Sequence, residues 1–226
     1  MSGGPSVFCF DLDDTLFSEA DYVESGLRAA GALVDAEAPG PEPAGAWLVA
    51  LWRRERARDA FQQLLRARRL EAERWLGRLK DAYRAHVPRI RPRAGVLDAL
   101  GRLIGRGARL ALLSDGDLEV QQRKWAALDL PLDFDPVVFT DARGREYWKP
   151  HPWGFECVMR AHPAASRFLY VGDNPAKDFI APNRLGWTTV LVRADRNLHP
   201  AACTDAEAAP HLTVESLAAL VELTSS

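Results

Sequence analysis

Three carboxylates fall within four residues, Asp11, Asp13 and Asp14, directly after the apolar and aromatic run Val7-Phe8-Cys9-Phe10. Such a run reads as a strand buried on both faces of a parallel sheet. Side chains two apart on a strand share a face, so Asp11 and Asp13 point one way and Leu12 the other. Two carboxylates so close repel each other unless a cation or a shared proton intervenes. The pair suits a Mg²⁺ site with one nucleophilic carboxylate and one that moves protons. The plainer reading of the same residues is a solvated, Asp-rich turn at a strand end.

Further strands end in polar residues that suit the same chemistry. The strand expected at 109–114 ends in Ser114-Asp115-Gly116, and the one at 167–173 ends in Asp173, with Asp178 in the next helix. The strand at 136–140 is followed, after a turn at 141–144, by Tyr147-Trp148-Lys149-Pro150. In an open parallel sheet, ligands sit outside the carboxyl ends of the strands, which places these residues along one edge. Carboxylates, a hydroxyl and a lysine together suit phosphoryl transfer, where positioning and charge neutralisation carry most of the catalysis. A carboxylate nucleophile forms an aspartyl-phosphate, while a hydroxyl and an ammonium hold the transferring oxygens. Mg²⁺ held by carboxylates from two strands lets anion meet anion.

The elements that must position these residues follow from periodicity. From Pro92 onward helices and strands alternate: helix 95–104, strand 109–114, helix 118–128, strand 136–140, helix 152–161, strand 167–173, a helix carrying Asp178, and strand 188–192. A surface loop at 197–210 and a closing helix at 214–223 complete the chain. This alternation predicts an α/β protein with a doubly wound, mostly parallel sheet. Between the first strand and this region there is no strand signal. A helix at 19–34 is broken by three prolines in five positions, Pro39, Pro41 and Pro43. Apolar stripes at Trp47-Leu48-Leu51-Trp52, at Phe61-Leu64-Leu65 and at Trp75-Leu76-Leu79-Tyr83 then predict two or three short amphipathic helices ending at Val87-Pro88.

Composition narrows the class. With 226 residues, 47% apolar and 27% charged, the chain is that of a soluble globular protein with one sizeable core, or one core with a smaller appended domain. No apolar run approaches the roughly 20 residues needed to cross a bilayer, and no membrane partner is expected. The first residues lack a basic region, so no signal peptide is expected. Cys9, Cys157 and Cys203 form no CxxC pair and read as structural thiols, which makes a cytoplasmic location the expectation. The net charge of −2 conceals a balance of +9 between Trp52 and Arg93. Most of these arginines are expected on solvated helix faces, with one or two meeting an anionic substrate. The overall negative charge and the absence of interleaved aromatics speak against nucleic acid as a partner. His151 is expected to start a helix, and Trp148 and Trp153 to pack.

The four strand-end segments resemble the motifs of the haloacid dehalogenase superfamily. Asp11-Leu12-Asp13-Asp14-Thr15 matches its Asp-x-Asp-x-Thr motif, and Leu112-Leu113-Ser114-Asp115-Gly116 its strand ending in Ser or Thr. Lys149-Pro150 matches its third motif, and Gly172-Asp173 with Asp178 matches its fourth. The resemblance implies a Rossmann-like core at 1–17 and 92–226 with an inserted all-helical cap at 18–91. It implies Asp11 as nucleophile and Mg²⁺ ligand, and Asp13 as acid and base with its carbonyl on Mg²⁺. Ser114 and the backbone N–H groups of Asp115 and Gly116 would hold phosphoryl oxygens, Lys149 would pair with Asp11, and Asp173 would ligate Mg²⁺. Asp178 would support that ligand, and Thr15 would brace the loop. Members that cleave carbon–halogen bonds lack an acid two residues after the nucleophile; Asp13 therefore favours phosphate-ester hydrolysis. The expected substrate is a small phosphorylated metabolite, a sugar phosphate or nucleotide, taken by a monomer or homodimer. A phosphomutase of the same superfamily and a catalytically silent regulatory protein on this core are the alternatives. One departure is Asp115, where phosphatases often carry Asn; its carboxylate is expected to turn away from the phosphate.

Overall fold

In a computed structural model, which describes residues 4–198 and 205–223, the first apolar run forms β1 (Ser6–Phe10) near the middle of a sheet. Among the described residues the sheet has six strands, ordered β3-β2-β1-β4-β5-β6, with every neighbouring pair parallel. The others are β2 (Arg109–Ser114), β3 (Val137–Phe139), β4 (Arg167–Gly172), β5 (Thr188–Val192) and β6 (Leu212–Val214). This is the Rossmann-like α/β architecture that the alternation predicts.

Register aligns the strand ends. Phe10 pairs with Leu112 on one side and with Val171 on the other. The residues that follow, Asp11, Ser114 and Asp173, therefore emerge at the same edge, and the Asp11 N–H still bonds the Val171 carbonyl at 2.8 Å. One face of the sheet presents Val7, Cys9, Ala111, Leu113 and Tyr170 to α7 (Trp153–Ala161), which contributes Phe155 and Val158. The alternate residues Phe8, Phe10, Leu110, Leu112, Leu169 and Val171 are buried as well, as a sheet covered on both faces requires. Helices α5 (Val96–Gly105) and α10 (Leu217–Leu223) pack on each other, and α5 packs on β2. Helix α6 (Leu118–Leu128) connects β2 to β3, and the short α8 (Pro175–Asp178) and α9 (Ile180–Arg184) follow β4.

The sixth strand departs from the sequence reading. Leu212–Val214 pairs with Val190, Leu191 and Val192, and the closing helix begins at Leu217 rather than Val214. Three residues carry no periodicity of their own; backbone pairing with β5 makes them a strand. Residues 199–204 of the expected loop, with Cys203, lie outside the described residues.

The chain divides into two compact units, Met1–Ala20 with Arg91–Ser226, and Asp21–Ile90. Helix α1 (Glu19–Glu37) starts in the first and continues into the second, which also holds α2 (Ala44–Glu55), α3 (Ala60–Ala67) and α4 (Ala72–Ala85). The three stripes read from the sequence bury Leu48, Leu51 and Trp52, then Leu64 and Leu65, then Trp75 and Leu79. Several arginines of this basic stretch serve the unit itself. Arg53 grips Glu24 through two bonds, and Arg68 ties Asp35 to the Ala38 carbonyl. Ser25 Oγ and His86 Nε2, 2.7 Å apart, pin α1 to the end of α4.

Candidate active site

Lys149 is the hub of the site. It follows two 3₁₀ turns, Thr140–Ala142 and Arg145–Tyr147, that carry the chain back from β3. Its Nζ lies 2.8 Å from Asp11 Oδ1, 2.8 Å from Asp178 Oδ1 and 2.7 Å from the Tyr170 hydroxyl oxygen. The Lys149 side chain is wholly closed to solvent. Burial alone would drive off the proton, but Asp11 and Asp178 outweigh it and hold the ammonium well above its ordinary range.

The carboxylates divide by environment. Burial pushes Asp11 up to about 6 against the pull of Lys149. Burial, reinforced by Asp178 and Asp11, pushes Asp173 up to about 9. Burial also opposes ionisation of Asp178, yet Lys149 and Lys177 hold it below its ordinary value. Asp11, Asp173 and Asp178 each offer an oxygen within 4.8 Å of the others, and all three are buried. Among the described residues Asp173 Oδ2 is buried with no hydrogen-bond partner. An orphaned buried carboxylate oxygen facing two more carboxylates is a donor set fitted to a hard divalent cation such as Mg²⁺.

Asp178 reaches this cluster because of Gly172. A Cβ at Gly172 would stand 2.6 Å from Asp178 Oδ2, which instead accepts the Asn174 N–H at 2.9 Å. Asn174 caps α8 through its side chain, which sets the turn that brings Asp178 back over the strand end.

Asp13 stands apart from the cluster of Asp11, Asp173 and Asp178, its side chain 20% exposed. Lys124 and Gln121 of α6 approach it, with Lys124 Nζ 2.7 Å from Oδ1 and Gln121 Nε2 2.7 Å from Oδ2. Ser114 is buried and receives the same Gln121 amide at 2.7 Å. Gly116 follows at φ +127°, in the region that favours glycine, and a Cβ there would stand 3.1 Å from the Gln121 side chain. Burial, with Asp13 next in effect, pushes the nearby Glu19 up to about 7.

Asp115 turns to the protein. It accepts the Thr140 hydroxyl at 2.8 Å and the Lys149 N–H, and Lys177 Nζ lies 3.4 Å away. The Thr15 hydroxyl makes no hydrogen bond among the described residues. The hydrogen bonds that hold this loop go to Asp14. Fully buried at φ +52°, it accepts the N–H groups of Glu19 and Leu198 and the Arg93 guanidinium. His151 Nδ1 accepts the Trp153 N–H at 3.1 Å, the helix-start role expected of it. Trp148 Nε1 bonds Asp141.

Gln121, Lys124, Lys177, Tyr170 and Arg93 were not legible as site residues. Gln121 and Lys124 carry one signal: three residues apart, they share a face of the helix that follows Ser114.

A family model for haloacid dehalogenase-like hydrolases matches residues 5–186. The chain belongs to that family. A glyceraldehyde 3-phosphate phosphatase of Pyrococcus abyssi (strain GE5 / Orsay) is 32% identical over 112 residues, which span 49% of this chain and 44% of that protein, so less than half of the relative is matched. Among solved structures, YfnB of Bacillus subtilis bound to magnesium superposes with a TM-score of 0.65 at 19% identity, over 100% of both chains. The L-2-haloacid dehalogenase of Xanthobacter autotrophicus gives 0.58 at 21%, over 97% of this chain and 98% of that one. At these identities the likeness to solved structures is one of fold. Among the described residues no helix is long and apolar enough to cross a membrane.

Proposed function

We propose that this hydrolase is a Mg²⁺-dependent phosphomonoesterase that acts on a small phosphorylated metabolite, a sugar phosphate or nucleotide, through an aspartyl-phosphate on Asp11. The observation that carries the reading is the pairing of two carboxylates with two different lysines. Asp11 is buried against Lys149 at 2.8 Å, and Asp13, two residues on, is part-exposed beside Lys124 at 2.7 Å. A dehalogenation needs the first carboxylate alone; ester hydrolysis needs the second to protonate an alkoxide. The phosphatase activity of the partly matched relative supports the same choice.

Asp11, Asp173 and the Asp13 carbonyl would hold Mg²⁺, with Asp178 in support, and the ion would offset the charge of nucleophile and phosphate. Lys149 keeps the Asp11 carboxylate ionised and oriented, and the Ser114 hydroxyl donates to a phosphoryl oxygen. An Asp11 oxygen attacks phosphorus, the ester P–O bond breaks, and Asp13 gives its proton to the departing oxygen. Water then attacks the phosphorus, loses a proton to Asp13, and phosphate leaves as the Asp11–phosphorus bond breaks.

Phosphate release from an aryl phosphate and a panel of sugar phosphates and nucleotides, with Mg²⁺ and with chelator, tests this. Turnover that requires Mg²⁺ and is lost in Asp11→Asn is expected. A phosphoryl-Asp11 adduct that forms but passes its phosphate only to a sugar phosphate would instead make the protein a mutase.

A further inference from the structure

Helix α6 carries an amide and an ammonium that are almost wholly buried, Gln121 at 1% and Lys124 at 4% exposure. Buried polar groups of this kind cost free energy unless partnered, and both find partners at the strand ends. Lys124 Nζ takes Asp13 Oδ1, and Gln121 Nε2 takes Asp13 Oδ2, each at 2.7 Å. The same Nε2 lies 2.7 Å from Ser114 Oγ and 2.8 Å from the Asp115 carbonyl oxygen. A carboxylate and a carbonyl only accept, so the amide must present its NH₂ here, with two protons for three acceptors.

We infer that Gln121 and Lys124 are positioning residues for the reaction proposed above, on which this inference rests. Lys124 is the fixed anchor of the Asp13 carboxylate. The Gln121 bond, shared three ways, is the one Asp13 gives up when an oxygen turns to a leaving group or to water. By approaching Ser114 Oγ as donor, Gln121 also leaves the serine's own proton for the phosphoryl oxygen. One helix face thus sets both the acid and the phosphate-binding hydroxyl.

The two chemical steps separate this role from a merely structural one. A nitrophenolate leaves without a proton, so with an aryl phosphate only the second step, attack by water, needs Asp13. An alkoxide leaving group needs it in both. In Lys124→Met, turnover of an alkyl phosphate should fall about 100-fold, the scale of a displaced general acid, while the aryl-phosphate burst stays within about threefold of wild type. Phosphoryl enzyme should accumulate on acid quench, and Lys124→Arg should recover part of the lost turnover. A burst slowed as much as turnover, or no change in either, overturns the inference.

Should Lys124→Met fail to fold by circular dichroism, Lys124→Gln, which removes the charge and keeps a polar end, is read the same way. If wild-type protein phosphorylates with no ester, the phosphatase reading is what fails. The crystal structure of Lys124→Met then judges the anchor: an Asp13 carboxylate within about 0.5 Å of its place overturns it, and a displaced one sustains it.

Discussion

The Asp115 carboxylate accepts the backbone N–H of Lys149 on both oxygens, at 3.1 and 3.2 Å. The charge that stands beside the Ser114 hydroxyl is therefore engaged by the segment that delivers the lysine. Asp115 ties the end of β2 to the lysine loop, and Thr140 and Lys177 complete its coordination.

Replacing Asp115 should loosen that loop before it changes the charge of the site. Asp115→Ala leaves the buried Lys149 N–H without an acceptor and the Thr140 hydroxyl with only the Ser114 carbonyl at 3.4 Å, and is expected to cost about 2–3 kcal/mol. Asp115→Asn keeps one oxygen and should cost less. Urea denaturation of the three proteins measures the order, which equal midpoints would contradict.

Asp14 and Arg93 form a second tie. Nη2 of Arg93 lies 2.9 Å from Asp14 Oδ1, and the carboxylate is fully closed to solvent. Removing the cation strands a buried anion, so Arg93→Met is expected to destabilise by about 3 kcal/mol. Asp14→Asn, whose side chain tolerates the left-handed backbone and keeps one acceptor, should be milder than Asp14→Ala. Chemical denaturation tests both comparisons.

Stability without metal should depend on pH in a stated direction. A carboxyl with a raised folded value supports the native state fully below its unfolded value, and that support is lost as pH climbs through the folded one. Asp11 and Asp173, raised from 3.8 to about 6 and about 9, set a window from near 4 to near 9. In chelator the melting temperature should fall across that window. Asp173→Asn should flatten its upper part, and Mg²⁺ should raise stability most at its alkaline end. A melting temperature level from pH 4 to 9 in chelator would contradict the arrangement of carboxylates.

Gly172 is expected to resist even alanine. The added carbon would meet the Asp178 carboxylate at 2.6 Å, and moving Asp178 disturbs its bonds to Lys149 and Asn174. Gly172→Ala should cost about 1–3 kcal/mol and lower Mg²⁺ affinity. Calorimetric titration with Mg²⁺ reads the second effect, and unchanged affinity would show that Asp178 is not needed there.

The sequence by itself determined five parallel strands and the placement of Asp11, Asp13, Ser114 and Asp173 at strand ends. Those features are local: an apolar run, its period and the polar residue that stops it lie within about ten residues. The helices of the basic stretch were legible for the same reason, since each stripe repeats within its own few turns. Only tertiary structure decided which side chains meet. The resemblance implied the pair of Lys149 with Asp11, but Lys124 reaches Asp13 across 111 residues, a distance at which no periodicity carries information. Sheet register brings those partners together, and register depends on every strand at once. The edge strand Leu212–Val214 exists for that reason too, since β5 supplies the pairing its three residues cannot encode. Thr15 and Asp14 show the limit most plainly. Adjacent in sequence and both buried, they differ in what other segments bring to them, and it is Asp14 that holds the loop.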